Sequence, residues 1–94
     1  MLFARGHLQE ALRYGRAALE IAENLGVPFG RVGARWGCAH VGSLLGLWPE
    51  TESWGREGIE IIRTHRVAMM WEGALFTFWA EGSAGMGATA RAQS

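Results

Sequence analysis

The chain has 94 residues, 49% of them hydrophobic, so it can form one small domain with its own core. Its nine arginines balance nine glutamates, and the formal net charge at pH 7 is zero. Because binding to phosphates requires an excess of positive charge on one surface, this composition argues against a nucleic-acid-binding protein.

The first predicted helix covers residues 8 to 24. Apolar residues recur there at the three- and four-residue spacing of an amphipathic helix, as in the pair Leu8 and Leu12. Gly26 and Pro28 follow, and this order of a glycine and then a proline commonly ends a helix.

The second predicted helix covers residues 29 to 45 and is rich in glycine. Each glycine lowers helix propensity by about 1 kcal/mol relative to alanine, so we expect these residues to serve close contact between helices. The glycines are Gly30, Gly33, Gly37 and Gly42.

Two further helices complete the prediction. The third covers residues 49 to 64 and begins at Pro49, since proline is favoured in a first helical turn. The fourth covers residues 68 to 83. The sequence thus predicts a helical domain over residues 1–84, followed by a small, polar tail over residues 85–94 that we expect to be disordered.

The two halves of the chain are related by a repeat of forty residues. Residues 6–46 share 11 identities in 41 positions with residues 46–86, whereas composition alone would give roughly 3 to 4. In the first copy these identities are Gly6, Glu10, Gly15, Arg16, Glu20, Ile21, Val27, Gly33, Ala34, Gly42 and Ser43. Since a period near forty residues is typical of stacked helical hairpins, we predict an all-α fold of about four antiparallel helices.

The segment GHLQEALRYGRAALEI, residues 6 to 21, resembles the second helix of a tetratricopeptide repeat. The family pattern has a glycine, then a leucine or aromatic residue, an acidic residue, an alanine and a later small residue. The matching residues are Gly6, Leu8, Glu10, Ala11 and Ala18 in the first copy, and Gly46, Trp48, Glu50, Thr51 and Gly58 in the second. Thr51 and Glu52 stand where the pattern has alanine and an apolar residue.

The resemblance covers residues 1 to about 86 and implies a tetratricopeptide-like α-solenoid. The period is similar to that of the longer repeats that follow cyclase or ATPase domains in bacterial signalling proteins and transcriptional regulators. In such a stack, the first helix of each pair lines a concave face that holds a peptide. MLFAR, residues 1–5, would be the end of one such first helix, and the chain would belong to a longer array or associate with itself.

The usual catalytic and metal-binding patterns are missing from the sequence. There is no aspartate, so the standard Ser-His-Asp triad and EF-hand loops each lack a member. Cys38 and His40 are two residues apart on a helix and therefore point in different directions. GRVGARWG, residues 30–37, lacks the Gly-Lys-Ser/Thr ending of a phosphate loop. We predict no catalytic residue, no cofactor, no metal site and a buried Cys38.

The sequence also predicts a cytoplasmic protein without a membrane partner. Its most apolar segment, residues 67–80, is shorter than the roughly 18 residues that cross a bilayer, and Glu72 interrupts it. The N-terminus lacks the apolar stretch of a signal peptide. A single cysteine cannot form an internal disulfide, which fits a reducing compartment.

Aromatic side chains on the two predicted groove helices are the candidate site. Trp36 and Phe76 are forty residues apart, and the resemblance places them as neighbours on the concave face. Aromatic residues and arginine are frequent binding anchors, and Arg35 could bind a carboxylate of a partner. The predicted partner-binding residues are Arg35, Trp36, His40, Ser43 and Phe76. The alternative interpretation is that Trp36 and Phe76 only pack between helices.

These observations favour a non-enzymatic interaction or scaffold module that binds a protein or peptide segment on the concave face. Self-association into a homo-oligomer is a further expectation. The alternative is a regulatory or sensor part of a larger bacterial nucleotide cyclase or ATPase-linked transcription regulator. In that case the catalytic residues would lie outside these 94 residues.

Overall fold

A computed structural model describes residues 5–93, which form four α-helices and one short 3₁₀-helix, with no strand in that range. The α-helices are α1 (Arg5–Leu25), α2 (Pro28–Leu45), α3 (Trp48–His65) and α4 (Glu72–Gln93). The all-α class is therefore confirmed, and α1 to α3 lie close to their predicted positions. Residues 1–4, which we assigned to the end of a preceding helix, lie outside the described residues, and Arg5 already belongs to α1.

The turns after α1 and α2 follow directly from their sequence signals. Gly26 and Gly46 both have a φ of +73°, a left-handed conformation that glycine adopts without steric cost. Pro28 and Pro49 stand in the first turns of α2 and α3, where a helix does not need the amide hydrogen that proline lacks. Each connection is therefore short, and the chain reverses direction.

The connection between α3 and α4 departs from this pattern. Arg66 and Ala68 have φ values of 55° and 54°, although neither is glycine. The 3₁₀-helix Met69–Trp71 follows, so α4 begins at Glu72 and not at the predicted residue 68. Ala68 is the counterpart of Pro28, so this copy lacks the proline that fixes the first turn of α2.

Helix α4 continues to Gln93, through residues that we expected to be disordered; Ser94 lies outside the described residues. Its later turns rest on the beginning of α3. Gly85 allows the ring of Trp48 to lie against the α4 backbone. The residues around this contact, Trp48, Pro49, Met86, Thr89 and Ala90, line a hollow of about 190 Å³. The small residues of the tail thus provide a packing surface, which their composition alone does not reveal.

Helices that follow one another in the chain pack antiparallel. Between α3 and α4, Gly58 lies against Leu75, whereas Glu52 lies against Gly82, so residue numbers rise in one helix as they fall in the other. The pairs α1–α2 and α2–α3 follow the same rule. In the latter, Gly42 faces Trp54.

Helices that are two apart in the chain run parallel, with α2 packed against α4 and α1 more loosely opposite α3. From α2, Gly33 contacts Trp71 of the 3₁₀-helix just before α4, and the hydroxyl of Ser43 donates a hydrogen bond to Glu81 of α4 at 2.7 Å, both across thirty-eight residues. Between α1 and α3, the guanidinium of Arg16 lies 5.7 Å from the ring centre of Trp54, again across thirty-eight residues. The molecule therefore has two layers, α1 with α3 and α2 with α4.

The hydrophobic core lies mainly among α2, α3 and α4. Its most deeply buried apolar side chains are Val32, Cys38, Ala39, Ile59, Ile62 and Leu75. Cys38 is buried as predicted, and burial raises the pKa of its thiol, which makes a reactive thiolate less accessible. Helix α1 contributes only Leu12, which is 9% exposed, to the buried residues.

Two glycines of α2 bring helices together as predicted, and two do not. A Cβ atom added to Gly42 would lie 2.9 Å from Oγ1 of Thr51, and one added to Gly33 would lie 3.0 Å from the ring of Trp71. Gly30 and Gly37 have nothing within 4 Å of the same position. Thr51 is fully buried, and its hydroxyl has no hydrogen-bond partner among the described residues. This is where the tetratricopeptide pattern has alanine, so the departure leaves a buried polar atom unpaired.

Candidate partner-binding surface

Five aromatic rings form a continuous strip on the α2/α4 layer. Phe29 lies 5.0 Å from Trp71, and Trp71 stacks on Trp36 at 6.3 Å. Trp36 stacks in turn on His40, with ring centres 5.7 Å apart and planes 3° apart. His40 meets the edge of Phe78 at 6.1 Å. We call Phe29, Trp36, His40, Trp71 and Phe78 the aromatic strip.

Helical spacing explains how the sequence builds this strip. Phe29, Trp36 and His40 are seven and four residues apart, which places them on one face of α2. Trp71 and Phe78 are also seven residues apart, in the 3₁₀-helix and in α4. The parallel packing of α2 and α4 then brings the two sets of rings together.

One edge of the strip is fixed in the core and the other faces solvent. Phe78 is buried, while Trp36 remains 38% exposed and Phe29 is more exposed still. The neighbouring Met69 and Met70 are also exposed. Methionine side chains adapt easily to different apolar partners, and an apolar patch of this kind commonly marks a binding surface.

Three of the five predicted site residues lie on the α2/α4 face. Trp36 and His40 are in direct contact within the strip. Ser43 lies one helical turn further along α2, where its hydroxyl is already bound to the carboxylate of Glu81. Ser43 therefore helps to join α2 to α4.

Arg35 does not belong to this surface, contrary to the prediction. Only 8% of it is exposed. Its guanidinium contacts the carboxylates of Glu23 in α1 and of Glu57 in α3, the latter at 3.2 Å, and also donates to the carbonyl of Arg31. Its donors are thus occupied within the protein, so Arg35 joins three helices and is not free to bind a carboxylate of a partner.

The charge of Arg35 also acts on Glu23. Burial alone would raise the pKa of the Glu23 carboxyl, but hydrogen bonds from Arg35 and Arg31 outweigh this effect and hold the pKa below its ordinary value of 4.5. The ion pair is therefore maintained at neutral pH.

Phe76 lies on the other side of α4. Its ring stacks on Trp79 at 5.9 Å and lies 5.1 Å from the guanidinium of Arg63. Within residues 5–93 no ring contact joins Phe76 to Trp36, which contacts Trp71 instead. The reason is geometric. Equivalent residues of a repeat point in the same direction, so if Trp36 points from α2 towards α4, Phe76 points from α4 away from α2.

Sequence reasoning missed Phe29, Trp71 and Phe78. Phe29 had a usable signal, because it stands seven residues before Trp36 on the same helical face. Trp71 had none, since its counterpart forty residues earlier is Arg31. Its place in the strip depends on the irregular turn between α3 and α4.

The strip offers apolar and aromatic contact, with the imidazole of His40 as its polar group. Within residues 5–93, the His, Cys and Glu side chains form no group of three that could hold a metal ion. None of the helices in the described part of the chain combines the length and apolar character needed to cross a bilayer.

Comparison with protein-family models, with curated proteins and with solved structures finds no match to this chain.

Proposed function

We propose that this chain is a non-enzymatic protein–protein interaction module, built from tetratricopeptide-like helical hairpins, that binds a segment of a partner protein on its α2/α4 layer. The observation that carries the proposal is the aromatic strip, a row of contacting rings that remains partly open to solvent.

Two observations support the repeat architecture in this proposal. The sequence halves match over 41 positions with 11 identities. In addition, both layers place residues thirty-eight apart against one another, as in Ser43 with Glu81 and Arg16 with Trp54. A common spacing in the two layers is expected when one hairpin is stacked on another.

The chemistry of the strip favours a partner segment with apolar or aromatic side chains. With about 250 Å² for a tryptophan side chain, the exposed 38% of Trp36 represents about 2 kcal/mol of burial at about 25 cal/mol per Å². Such an energy at one residue is that of a binding hot spot.

The test uses peptides selected from a library of random linear peptides for binding to the wild-type chain. We expect apolar or aromatic peptides, and we expect Trp36→Ala to raise their dissociation constant by about 10- to 30-fold, since about 1.4 kcal/mol corresponds to a factor of ten. Fluorescence anisotropy of a labelled synthetic peptide measures this change. Tyr14→Ala, at an exposed aromatic position on α1 away from the strip, is the control and should leave the affinity unchanged.

One result would count against the proposal, and another would move the test to a second variant. Equal affinity for the wild type and Trp36→Ala would show that the peptides bind elsewhere. If Trp36→Ala loses helicity by circular dichroism, Trp36 belongs to the core, and Phe29→Ala, at the more exposed end of the strip, then decides the question.

A further inference from the structure

The first and last helices each carry an apolar face that is largely exposed to solvent, although on α4 the guanidinium of Arg63 from α3 lies over Phe76. On α1 this face contains Ala11, Tyr14 and Ile21, and we call it the α1 end face. On α4 it contains Phe76, Trp79, Ala80 and Ser83, which line an open, mainly apolar hollow of about 310 Å³. We call this second surface the α4 end face.

The second copy of the repeat shows that the positions of the α1 end face can be buried. Tyr14 is 67% exposed, whereas its counterpart Trp54 in α3 is 9% exposed. Likewise, Ile21 is 59% exposed and Ile61 is 7% exposed. Equivalent side chains are thus exposed on α1 and buried on α3.

The element that closes this face on α3 is α2. Both Thr51, the counterpart of Ala11, and Trp54 lie against Gly42 of α2. A helix that covered α1 in the same way would therefore have to present a surface like the side of α2 that faces α3.

The α4 end face is a surface of this kind. Its residues correspond to Trp36, Ala39, His40 and Ser43 of α2. On α2, Ala39 is completely buried, and Ser43 is bonded to Glu81 of α4. Their counterparts Trp79 and Ser83 retain exposure to solvent.

We propose that a second copy of the chain covers these faces. The α1 end face of one copy packs against the α4 end face of the next, so that α1 takes the place beside α4 that α3 takes beside α2. The charges permit this contact. The α2–α3 interface contains the ion pair of Arg35 with Glu57, whereas the equivalent residues of α4 and α1 are Leu75, which is already buried within the chain, and Ala17, so the new interface has no such pair to satisfy. Arg63, whose guanidinium lies over Phe76 of the α4 end face, has Glu72 as its partner at 4.0 Å.

Because the two end faces differ, the contact is head-to-tail and leaves one free face at each end of the assembly. If copies stack in the same direction as the two hairpins of one chain, the assembly does not return to its first face, so copies add without closing and the mean mass increases with concentration. The interface is separate from the aromatic strip, so this inference does not rest on the proposed function.

The test compares the wild type with two single variants, Ile21→Glu on the α1 end face and Ala80→Glu on the α4 end face. Both sites are exposed, so each variant should keep its helicity. Burying an unpaired carboxylate should raise the dissociation constant of self-association by about a hundredfold or more, and each variant alone should be monomeric in sedimentation velocity. Thr64→Glu, an exposed site outside both faces, is the control and should assemble like the wild type.

Mixing the two variants gives the decisive result. Ile21→Glu retains an intact α4 end face and Ala80→Glu retains an intact α1 end face, so the mixture should form a 1:1 dimer and nothing larger. A wild type that stays monomeric across the concentration series would overturn the proposal. So would an Ala80→Glu variant that still dimerises, because that result indicates contact between two α1 faces. If Ile21→Glu does not fold, Tyr14→Glu replaces it. A chain that carries both Ile21→Glu and Ala80→Glu should still bind peptides at the strip, which separates a failure here from a failure of the proposed function.

Discussion

The positions after α1 and α3 show how one residue adjusts the stability of a repeated turn. Gly26 and Arg66 are forty residues apart, and both adopt a left-handed backbone, with φ values of 73° and 55°. Their amides donate equivalent hydrogen bonds, from Gly26 to Ala22 at 2.9 Å and from Arg66 to Ile62 at 2.7 Å. A residue with a Cβ atom adopts this conformation at a cost of about 1–2 kcal/mol relative to glycine.

Arg66→Gly should therefore raise the free energy of unfolding by about 1 kcal/mol, because it relieves this backbone strain. Gly26→Ala should lower it by a similar amount, since an alanine there has open space but an unfavourable φ. Urea denaturation followed by circular dichroism measures both changes.

Arg66→Ala is the control for the lost side chain. It keeps a Cβ atom at the left-handed position and should give no stabilisation. Equal effects of Arg66→Gly and Arg66→Ala would show that the arginine side chain, and not the backbone, determines the stability of this turn.

At the scale of helices, glycine controls how closely α3 and α4 approach. A Cβ atom on Gly55 would lie 2.6 Å from the backbone nitrogen of Trp79 and 2.8 Å from the carbonyl oxygen of Leu75. These are backbone atoms, which cannot move aside as the end of a flexible side chain can. The helices would have to separate to admit a methyl group.

Gly55→Ala should therefore destabilise the fold by about 3 kcal/mol, the upper end of the usual cost of overpacking, because the neighbouring atoms belong to the backbone. Gly37→Ala is the matched control in the middle of α2. Nothing lies within 4 Å of its added Cβ atom, so better helix propensity should stabilise the protein by up to about 1 kcal/mol. Thermal melts of the two variants measure opposite shifts, and a loss of stability at both would contradict the close approach of α3 and α4.

The elements predicted well from the sequence are those set by local chemistry. Amphipathic spacing and the pairs Gly26–Pro28 and Gly46–Pro49 located α1, α2 and α3. The turn at Arg66 and the length of α4 depend on packing against other helices, which local patterns do not encode. The forty-residue repeat did not predict this turn or this helix length either, because the second copy departs from the first there.

The candidate site divides in the same way, into residues placed by spacing within one helix and residues placed by contacts between helices. Helical spacing placed Trp36 and His40 together, because both lie on one helix. Arg35 was misassigned because its partners, Glu23 and Glu57, belong to different helices. Phe76 was paired with Trp36 on the basis of repeat equivalence, although equivalent residues point in the same direction and so do not meet.

At the scale of the whole molecule, burial is unevenly distributed along the chain. Helix α1 has one buried residue, Leu12, and packs mainly against α2. Helix α3 has seven buried residues and packs against both α2 and α4. In a stack where each hairpin contacts only the adjacent hairpins, the end with the fewest buried contacts opens at the lowest free energy.

Native-state hydrogen exchange should therefore show that α1 amides exchange through local opening, while α3 amides require global unfolding. The measurement is best made on the monomeric Ile21→Glu, Ala80→Glu double variant, in which no second copy covers α1. Urea should hardly affect exchange in α1, because local opening exposes little surface, and should accelerate it strongly in α3. If α1 and α3 exchange at one common free energy, the two hairpins form a single cooperative unit. In the wild type, protection of α1 should increase with protein concentration, because the α4 end face of a neighbouring copy covers the helix.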